Sequence, residues 1–102
     1  MKNTNRQNRL SLADVVEILG EFKFIPHSVL VSTDKNKTVN GICDPNKKEI
    51  YITGGLWLPD KRETIIHELL HAREFIQFGT SSEKRVTSYT LQTIEVLYGK
   101  RQ

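Results

Sequence analysis

The sequence has a single cysteine, Cys43, so no disulfide can form within the chain, which fits a reducing compartment. It has no run of about 18 apolar residues of the kind that crosses a membrane. Its first nine residues are polar, and no apolar run after them is long enough for a secretory signal peptide. We therefore expect a cytoplasmic protein without a membrane partner.

Clustered basic residues are also absent. The chain carries 15 Lys and Arg against 12 Asp and Glu, a net charge of only +3. Nucleic-acid-binding domains usually concentrate their basic residues in one patch or stripe. A peptide or protein partner is therefore expected before a nucleic acid.

The length of 102 residues, 37% of them hydrophobic, is enough for one small core. Residues 1–9 offer nothing to bury, which predicts a flexible N-terminal arm. Residues 10–102 are then a single domain of marginal stability, to which a bound metal would add.

Hydrophobic patterning predicts an α+β fold. Ser11 and Asp14 resemble a capping box that starts a short amphipathic helix, and Gly20 is a plausible end for it. Three strands are then predicted, at Ser28 to Thr33, Thr38 to Cys43 and Glu49 to Thr53. Hairpin residues between the last two favour a small three-stranded sheet, antiparallel or mixed.

The most informative motif is His67-Glu68-Leu69-Leu70-His71, which has the pattern H-E-x-x-H. Histidines four residues apart lie on one face of a helix, where both imidazoles can reach one Zn²⁺. Glu68 then points to the flank where a metal-activated water would sit. Glu68 is therefore the predicted catalytic residue, acting as a general base.

The helix that carries this motif is predicted from Asp60, its N-cap, to about Phe78. Its apolar residues go almost all the way round, so we expect it to be the buried central helix. Gly79 ends it. The segment that follows, Thr80 to Glu83, opens a C-terminal helix that reaches Gly99.

A catalytic zinc site needs a third protein ligand and an open fourth position. Glu83 suits this role because it lies in the first turn of the C-terminal helix, which a tight turn at Gly79 would fold back against the central helix. Thr87 would share its face and could orient a ligand. The predicted metal group is His67, His71 and Glu83, with one Zn²⁺ per chain.

Two other residues are candidates for the third ligand. Glu74 follows the histidines on the same helical face, but it lies about 10.5 Å along the axis from His67, so the three side chains converge poorly. Cys43 is a good zinc donor chemically, yet its place in a predicted hairpin favours a buried small hydrophobe. Both remain alternatives to Glu83.

From Gly41 onward, the order of strand, hairpin, strand, H-E-x-x-H helix and Glu83 helix resembles the gluzincin clan of metallopeptidases. In that clan the third ligand is a Glu on a helix after the motif. At this length the chain is most similar to the minigluzincins, and the short relatives of the ImmA/IrrE protease domain are a second match. The resemblance covers roughly residues 38–98. Larger gluzincins often have an acidic residue shortly after the third ligand, where this chain has Val86 and Thr87.

The resemblance implies a zinc metallopeptidase whose substrate peptide lies extended along an edge strand, for which Glu49 to Thr53 is the candidate. It also implies latency, with a terminal segment occupying the cleft. Either the N-terminal arm or the tail Lys100-Arg101-Gln102 would serve, in cis or by exchange within a homodimer.

Two alternatives belong to other functional classes. Two helices joined by a glycine turn, with Lys84 and Arg85 at the start of the second, also resemble a helix-turn-helix DNA-binding module. The other alternative keeps the metal without turnover, as a catalytically silent zinc-binding interaction domain.

Overall fold

The order of elements is one helix, five strands and two helices, and we describe it from a computed structural model for residues 8–27, 30–32 and 37–99. These elements are α1 (Leu12–Leu19), β1 (Lys23–His27), β2 (Leu30–Ser32), β3 (Lys37–Val39), β4 (Gly41–Asp44), β5 (Glu49–Thr53), α2 (Leu58–Phe78) and α3 (Glu83–Tyr98). The predicted α+β fold class is confirmed.

Three of the strands form one mixed sheet in the order β1-β5-β4, and β2 pairs antiparallel with β3 in a separate sheet. β5 lies between a parallel neighbour, β1, and an antiparallel neighbour, β4. Its Tyr51 is opposite Ile25 on one side and Ile42 on the other. The strand that the resemblance assigned to the sheet edge is therefore central, and that prediction is wrong. The edge at this side of the sheet belongs to β4.

The strand boundaries differ from the prediction at two places. The predicted strand at Thr38 to Cys43 is divided at Asn40 into β3 and β4, and the one at Ser28 to Thr33 contributes β2 within its described residues. β1 completes the main sheet but was not predicted as a strand, because it contains Pro26 and proline argues against a strand. An edge strand tolerates proline, since one row of its N–H groups has no partner in the sheet.

The predicted cap of α1 is confirmed. The Ser11 hydroxyl accepts from the backbone N–H of Asp14, and the Asp14 carboxylate accepts from the N–H of Ser11. Gly20 follows as the C-cap. The capping box therefore fixes the start of α1 and leaves the Asp14 side chain on the buried side of the helix.

Asp14 also ties α1 to the central helix. Its Oδ2 lies 3.0 Å from Nη1 of Arg73, and both side chains are buried. The same guanidinium donates to the backbone carbonyls of Asn8 and Arg9. These two residues, which the sequence placed in the flexible arm, are therefore anchored. Residues 1–7 of that arm and the tail Lys100 to Gln102 lie outside the described residues.

α2 begins at Leu58, two residues before Asp60, which the sequence predicted as the N-cap. Trp57 is the N-cap, Pro59 stands in the first turn, and the indole of Trp57 donates to the Asp60 carboxylate. Proline suits the first turn because its missing N–H would have no partner there. The helix ends at Gly79, whose φ of 77° is left-handed and favours glycine.

α2 lies at the centre of the core, as expected. On one side Leu69 and Ala72 pack against Ile18, Phe22 and Ile50 of the α1 and sheet layer. On the other side α2 packs against α3. The residues of this second cluster are Ile66, Leu70, Val86 and Ile94. Both neighbours of α2 are thus held to it by buried apolar surface, which is the main stabilising term in a domain of this size.

α3 starts at the N-cap Ser82, whose hydroxyl accepts from the N–H of Arg85. Among the described residues, no helix combines the length and the apolar character that crossing a membrane requires.

Candidate metal centre

His67 and His71 project from the same face of α2. Their ring centroids are 4.8 Å apart, with the rings nearly perpendicular. Four residues advance an α-helix by just over one turn, which brings the two imidazoles side by side. Both rings are mostly buried and line a cleft between α2 and strand β4.

Glu83 reaches both histidines from the first turn of α3. Its Oε2 lies 2.9 Å from Nε2 of His67, and its Oε1 lies 2.8 Å from Nε2 of His71. The left-handed Gly79 reverses the chain between the two helices, as the sequence predicted. One ligand atom from each of the three residues lies within 4.8 Å of the others, so this group could hold a metal ion.

The second nitrogen of each imidazole is held by a hydroxyl. Nδ1 of His71 is 2.7 Å from Oγ of Ser81, and Nδ1 of His67 is 3.3 Å from Oγ1 of Thr90. These contacts fix the ring planes and leave both Nε2 atoms directed at Glu83. Thr87, which the sequence suggested for this purpose, donates to Glu83 over a longer 3.4 Å.

Neither Ser81 nor Thr90 was predicted to contact a ligand. The signal for Thr90 was present, since it lies seven residues after Glu83 and three after Thr87, on the same helical face. Ser81 lies in the turn before α3, where no helical spacing could indicate its contact with His71.

The ionisation of His71 and Glu83 suits metal binding. Burial, followed by the neighbouring His67, lowers the pKa of His71, so its imidazole is neutral at neutral pH. Burial opposes the ionisation of Glu83, but His67 and His71 beside it hold the pKa of its carboxyl below the usual range. A neutral imidazole and an ionised carboxylate are the forms that bind a cation.

Glu68 lines the same cleft but is not a member of the converging group. The residue is only 7% exposed. Burial, with the charge of Glu83 as a second cause, raises the pKa of Glu68 to about 8. A carboxyl with a raised pKa in a cleft is a common feature of groups that transfer protons near neutral pH.

Strand β4 forms the wall of the cleft opposite α2. Gly41, Ile42 and Cys43 line it, while β5 occupies the other side of the strand. The row of backbone N–H and C=O groups on the cleft side of β4 therefore belongs to a sheet edge. Phe75 of α2 also lines the cleft.

The two other candidates for the third ligand lie nearby but do not join the converging group. Glu74 is 2% exposed and forms an ion pair with Arg85, with Oε2 2.6 Å from Nε of the guanidinium. Cys43 packs against the α1 and sheet cluster, and burial, with the Glu68 and Asp44 charges, raises the pKa of its thiol to about 12. Among the described residues, the group that converges is His67, His71 and Glu83.

In comparisons with protein families, curated proteins and solved structures, no match to this chain was found.

Proposed function

We propose that the protein is a zinc-dependent metallopeptidase of the gluzincin type, with His67, His71 and Glu83 as the metal ligands. The observation that carries the proposal is the convergence of two Nε2 atoms on one carboxylate, in a cleft that Glu68 and a sheet edge also line. Two histidines and one glutamate are a common ligand set of catalytic zinc.

The three residues fit zinc in their chemistry as well as in their spacing. The hydroxyls of Ser81 and Thr90 hold the Nδ1 atoms, which leaves the Nε2 lone pairs for the metal. Zinc, when bound, would supply a Lewis acid that polarises the peptide carbonyl and makes water more acidic.

Glu68 would be the proton-transfer group of the reaction. The charge of a bound metal would favour the ionised form of Glu68, which would take a proton from the attacking water and give it to the leaving amine, as a general base and then a general acid. Burial in the cleft keeps bulk water from competing for this carboxylate, and it lies beside the ligands without being one of them.

The substrate would be a peptide in extended conformation paired with β4. Gly41, Ile42 and Cys43 of this edge strand line the same cleft as the two histidines of α2. Main-chain hydrogen bonds to a sheet edge hold a peptide straight and are largely independent of its sequence. A scissile carbonyl could thus be presented to the metal group, with Glu68 lining the same cleft.

The alternatives predict other chemistry. A helix-turn-helix module would need Arg85 for DNA phosphates, yet its guanidinium donates twice to the buried Glu74. A silent zinc-binding domain shares the metal group and differs only in turnover, so an activity measurement separates it from a peptidase.

The proposal is tested by measuring bound zinc and the cleavage of an unfolded protein on the same samples. We expect about one zinc per chain in the wild type and in Glu68→Gln, and none in His67→Ala. Glu68→Gln should lose cleavage by about 10²-fold or more, because the amide cannot accept the proton.

Each failure has its own meaning. A wild type that cannot be loaded with zinc would overturn the proposal. Zinc without cleavage by the wild type, even after its terminal segments are trimmed, would leave the silent binding domain. Loss of zinc from Glu68→Gln would show that Glu68 is a ligand rather than the base.

A further inference from the structure

A chain of hydrogen bonds leads from the metal ligand His71 to a buried carboxylate that is not a ligand. Oγ of Ser81 lies 2.7 Å from Nδ1 of His71 and donates to Oε1 of Glu74 over 3.2 Å. Glu74 is 2% exposed, although it stands only three residues after His71. A carboxylate so deeply buried in a small domain requires partners to offset its desolvation.

Those partners are all donors. Arg85 donates from Nε over 2.6 Å and from Nη2 over 3.0 Å, and the backbone N–H of Ser82 donates over 2.9 Å. An ionised carboxylate can only accept, so the direction of every bond to Glu74 is fixed. The proton shared with Ser81 therefore belongs to the serine hydroxyl.

A serine hydroxyl has one proton to give. Since that proton goes to Glu74, the oxygen of Ser81 is left as an acceptor toward His71. Nδ1 of His71 then carries its own proton, and the lone pair of the neutral imidazole is on Nε2. Because the Glu83 carboxylate that Nε2 faces is also an acceptor, the two atoms in this tautomer can share a cation but not a hydrogen bond.

We infer that Glu74 and Ser81 are positioning residues for the metal, which together hold His71 in the Nδ1–H tautomer and in its ring orientation. This inference rests on the proposed zinc site. It concerns how tightly the metal is held and would stand even if the chain cleaved no peptide.

The imidazole of His67 is held in the same way, by a hydroxyl oxygen that accepts from Nδ1. The hydroxyl of Thr90 gives its proton to the carbonyl of Val86 over 2.8 Å, so its oxygen also acts as an acceptor toward Nδ1 of His67. The two anchors are built from different elements, one in α3 and one in the turn before it. His67 is therefore a control within the same molecule for any change made at Ser81.

Glu74 also supports a second ligand. It holds the N–H of Ser82, the N-cap of α3, and the next residue is Glu83. A single buried carboxylate on α2 thereby fixes the ring of His71 and the start of the helix that carries Glu83. This explains why a charged residue occupies a core position one turn after the second histidine.

The test is zinc affinity, measured by competition with a chromophoric chelator. Ser81→Ala should bind zinc about 10–100-fold more weakly than the wild type, and Ser81→Thr, which keeps the hydroxyl, should recover most of the loss. Ser88→Ala makes the same change at an exposed position of α3 and should have the affinity of the wild type.

A purely structural effect of Ser81 is separated by NMR of the zinc-loaded protein. The Nδ1–H protons of both histidines should be protected from exchange with water in the wild type. In Ser81→Ala the signal of His71 should be lost while that of His67 remains. Glu74→Gln should weaken the same signal, because an amide can also donate to Ser81 and reverse the bond.

Equal zinc affinity in Ser81→Ala and the wild type, with the His71 signal retained, would overturn the inference alone. If Glu74→Gln changed neither the affinity nor the signal, the part assigned to Glu74 would be wrong. A wild type that binds no zinc would overturn both this inference and the proposed function.

Discussion

The backbone of Gly41 in β4 lies against the side chain of Glu68 in α2. A Cβ at position 41 would stand 2.9 Å from Cγ of Glu68 and 2.8 Å from Cγ2 of Thr64, closer than carbon atoms approach without strain. The missing side chain therefore lets the edge strand and the proposed base lie together. Gly41 is required by this close approach rather than by its backbone angles.

Gly41→Ala should accordingly impair catalysis more than metal binding. The added methyl must push Glu68 or the strand aside, at a cost of about 1–3 kcal/mol in unfolding free energy. Displacing a proton-transfer group by about 1 Å lowers turnover by about 10²-fold. We expect zinc content to be unchanged while kcat/KM for a peptide falls. Thr64→Ser added to Gly41→Ala removes the contact with Cγ2 but not that with Glu68, so it should recover part of the stability without recovering turnover. Full activity of Gly41→Ala would contradict this account.

The buried pair of Asp14 and Arg73 should make the stability of the domain depend on acid pH. Burial opposes ionisation of Asp14, but hydrogen bonds from the N–H of Ser11 and from Arg73 outweigh it and lower the pKa of the carboxyl. A carboxyl with a lowered pKa stabilises the fold above its unfolded pKa of about 3.9, and this stability is lost as pH falls through the folded pKa.

Asp14→Asn is the variant that measures this contribution. At neutral pH it should be about 3–5 kcal/mol less stable than the wild type, because Arg73 loses its charged partner while still buried. Urea denaturation from pH 7 down to about pH 2 should show the gap narrowing in acid. Glu17→Gln, at an exposed position of α1, is the matched control and should change the stability at neutral pH by less than about 0.5 kcal/mol. A gap that stayed constant for Asp14→Asn would show that the ion pair adds no pH dependence.

Zinc should stabilise the fold through Glu83 in particular. A ligand at about 100 times its Kd adds about 2.7 kcal/mol to the free energy of unfolding, which raises Tm by roughly 10 °C or more in a domain of this size. Thermal unfolding with and without zinc should show this gain in the wild type. Glu83→Ala should lose it, and Glu95→Ala, an exposed glutamate on the same helix, should keep it. If Glu83→Ala kept the gain, another residue would be the third ligand.

The sequence predicted the elements whose signals are local. The capping box at Ser11, the left-handed end of α2 at Gly79 and the strand at Glu49 to Thr53 are each determined by a few neighbouring residues. The parallel pairing of β1 with β5 was not predicted, because it joins segments about 26 residues apart and no local pattern specifies it. The mistaken edge strand has the same cause, since strand order is a property of the whole sheet.

The candidate site also combines features that local sequence predicts with contacts that it does not predict. The spacing of His67 and His71 on one helix, and the turn that returns Glu83 to them, could be anticipated from helical geometry. The hydroxyl anchors and the approach of Gly41 to Glu68 depend on side chains from separate elements. Such contacts follow from tertiary packing, which residue spacing does not encode.

Thr90 offers the sharpest separation of metal positioning from packing, because Thr93 is nearly its duplicate. Both are buried in α3, and both donate to the backbone carbonyl four residues earlier. The hydroxyl of Thr90 faces His67, whereas that of Thr93 accepts from the N–H of Leu10. Replacing either by valine keeps the shape and removes the hydroxyl.

Thr90→Val and Thr93→Val should each lose about 1–2 kcal/mol of stability in urea denaturation without metal. Only Thr90→Val should bind zinc more weakly, by about 10–100-fold in chelator competition, because its His67 ring loses the acceptor for Nδ1–H. If the two variants bound zinc equally, the hydroxyl of Thr90 would serve only the packing of α3, and the orientation of His67 would have to come from its place on α2 alone.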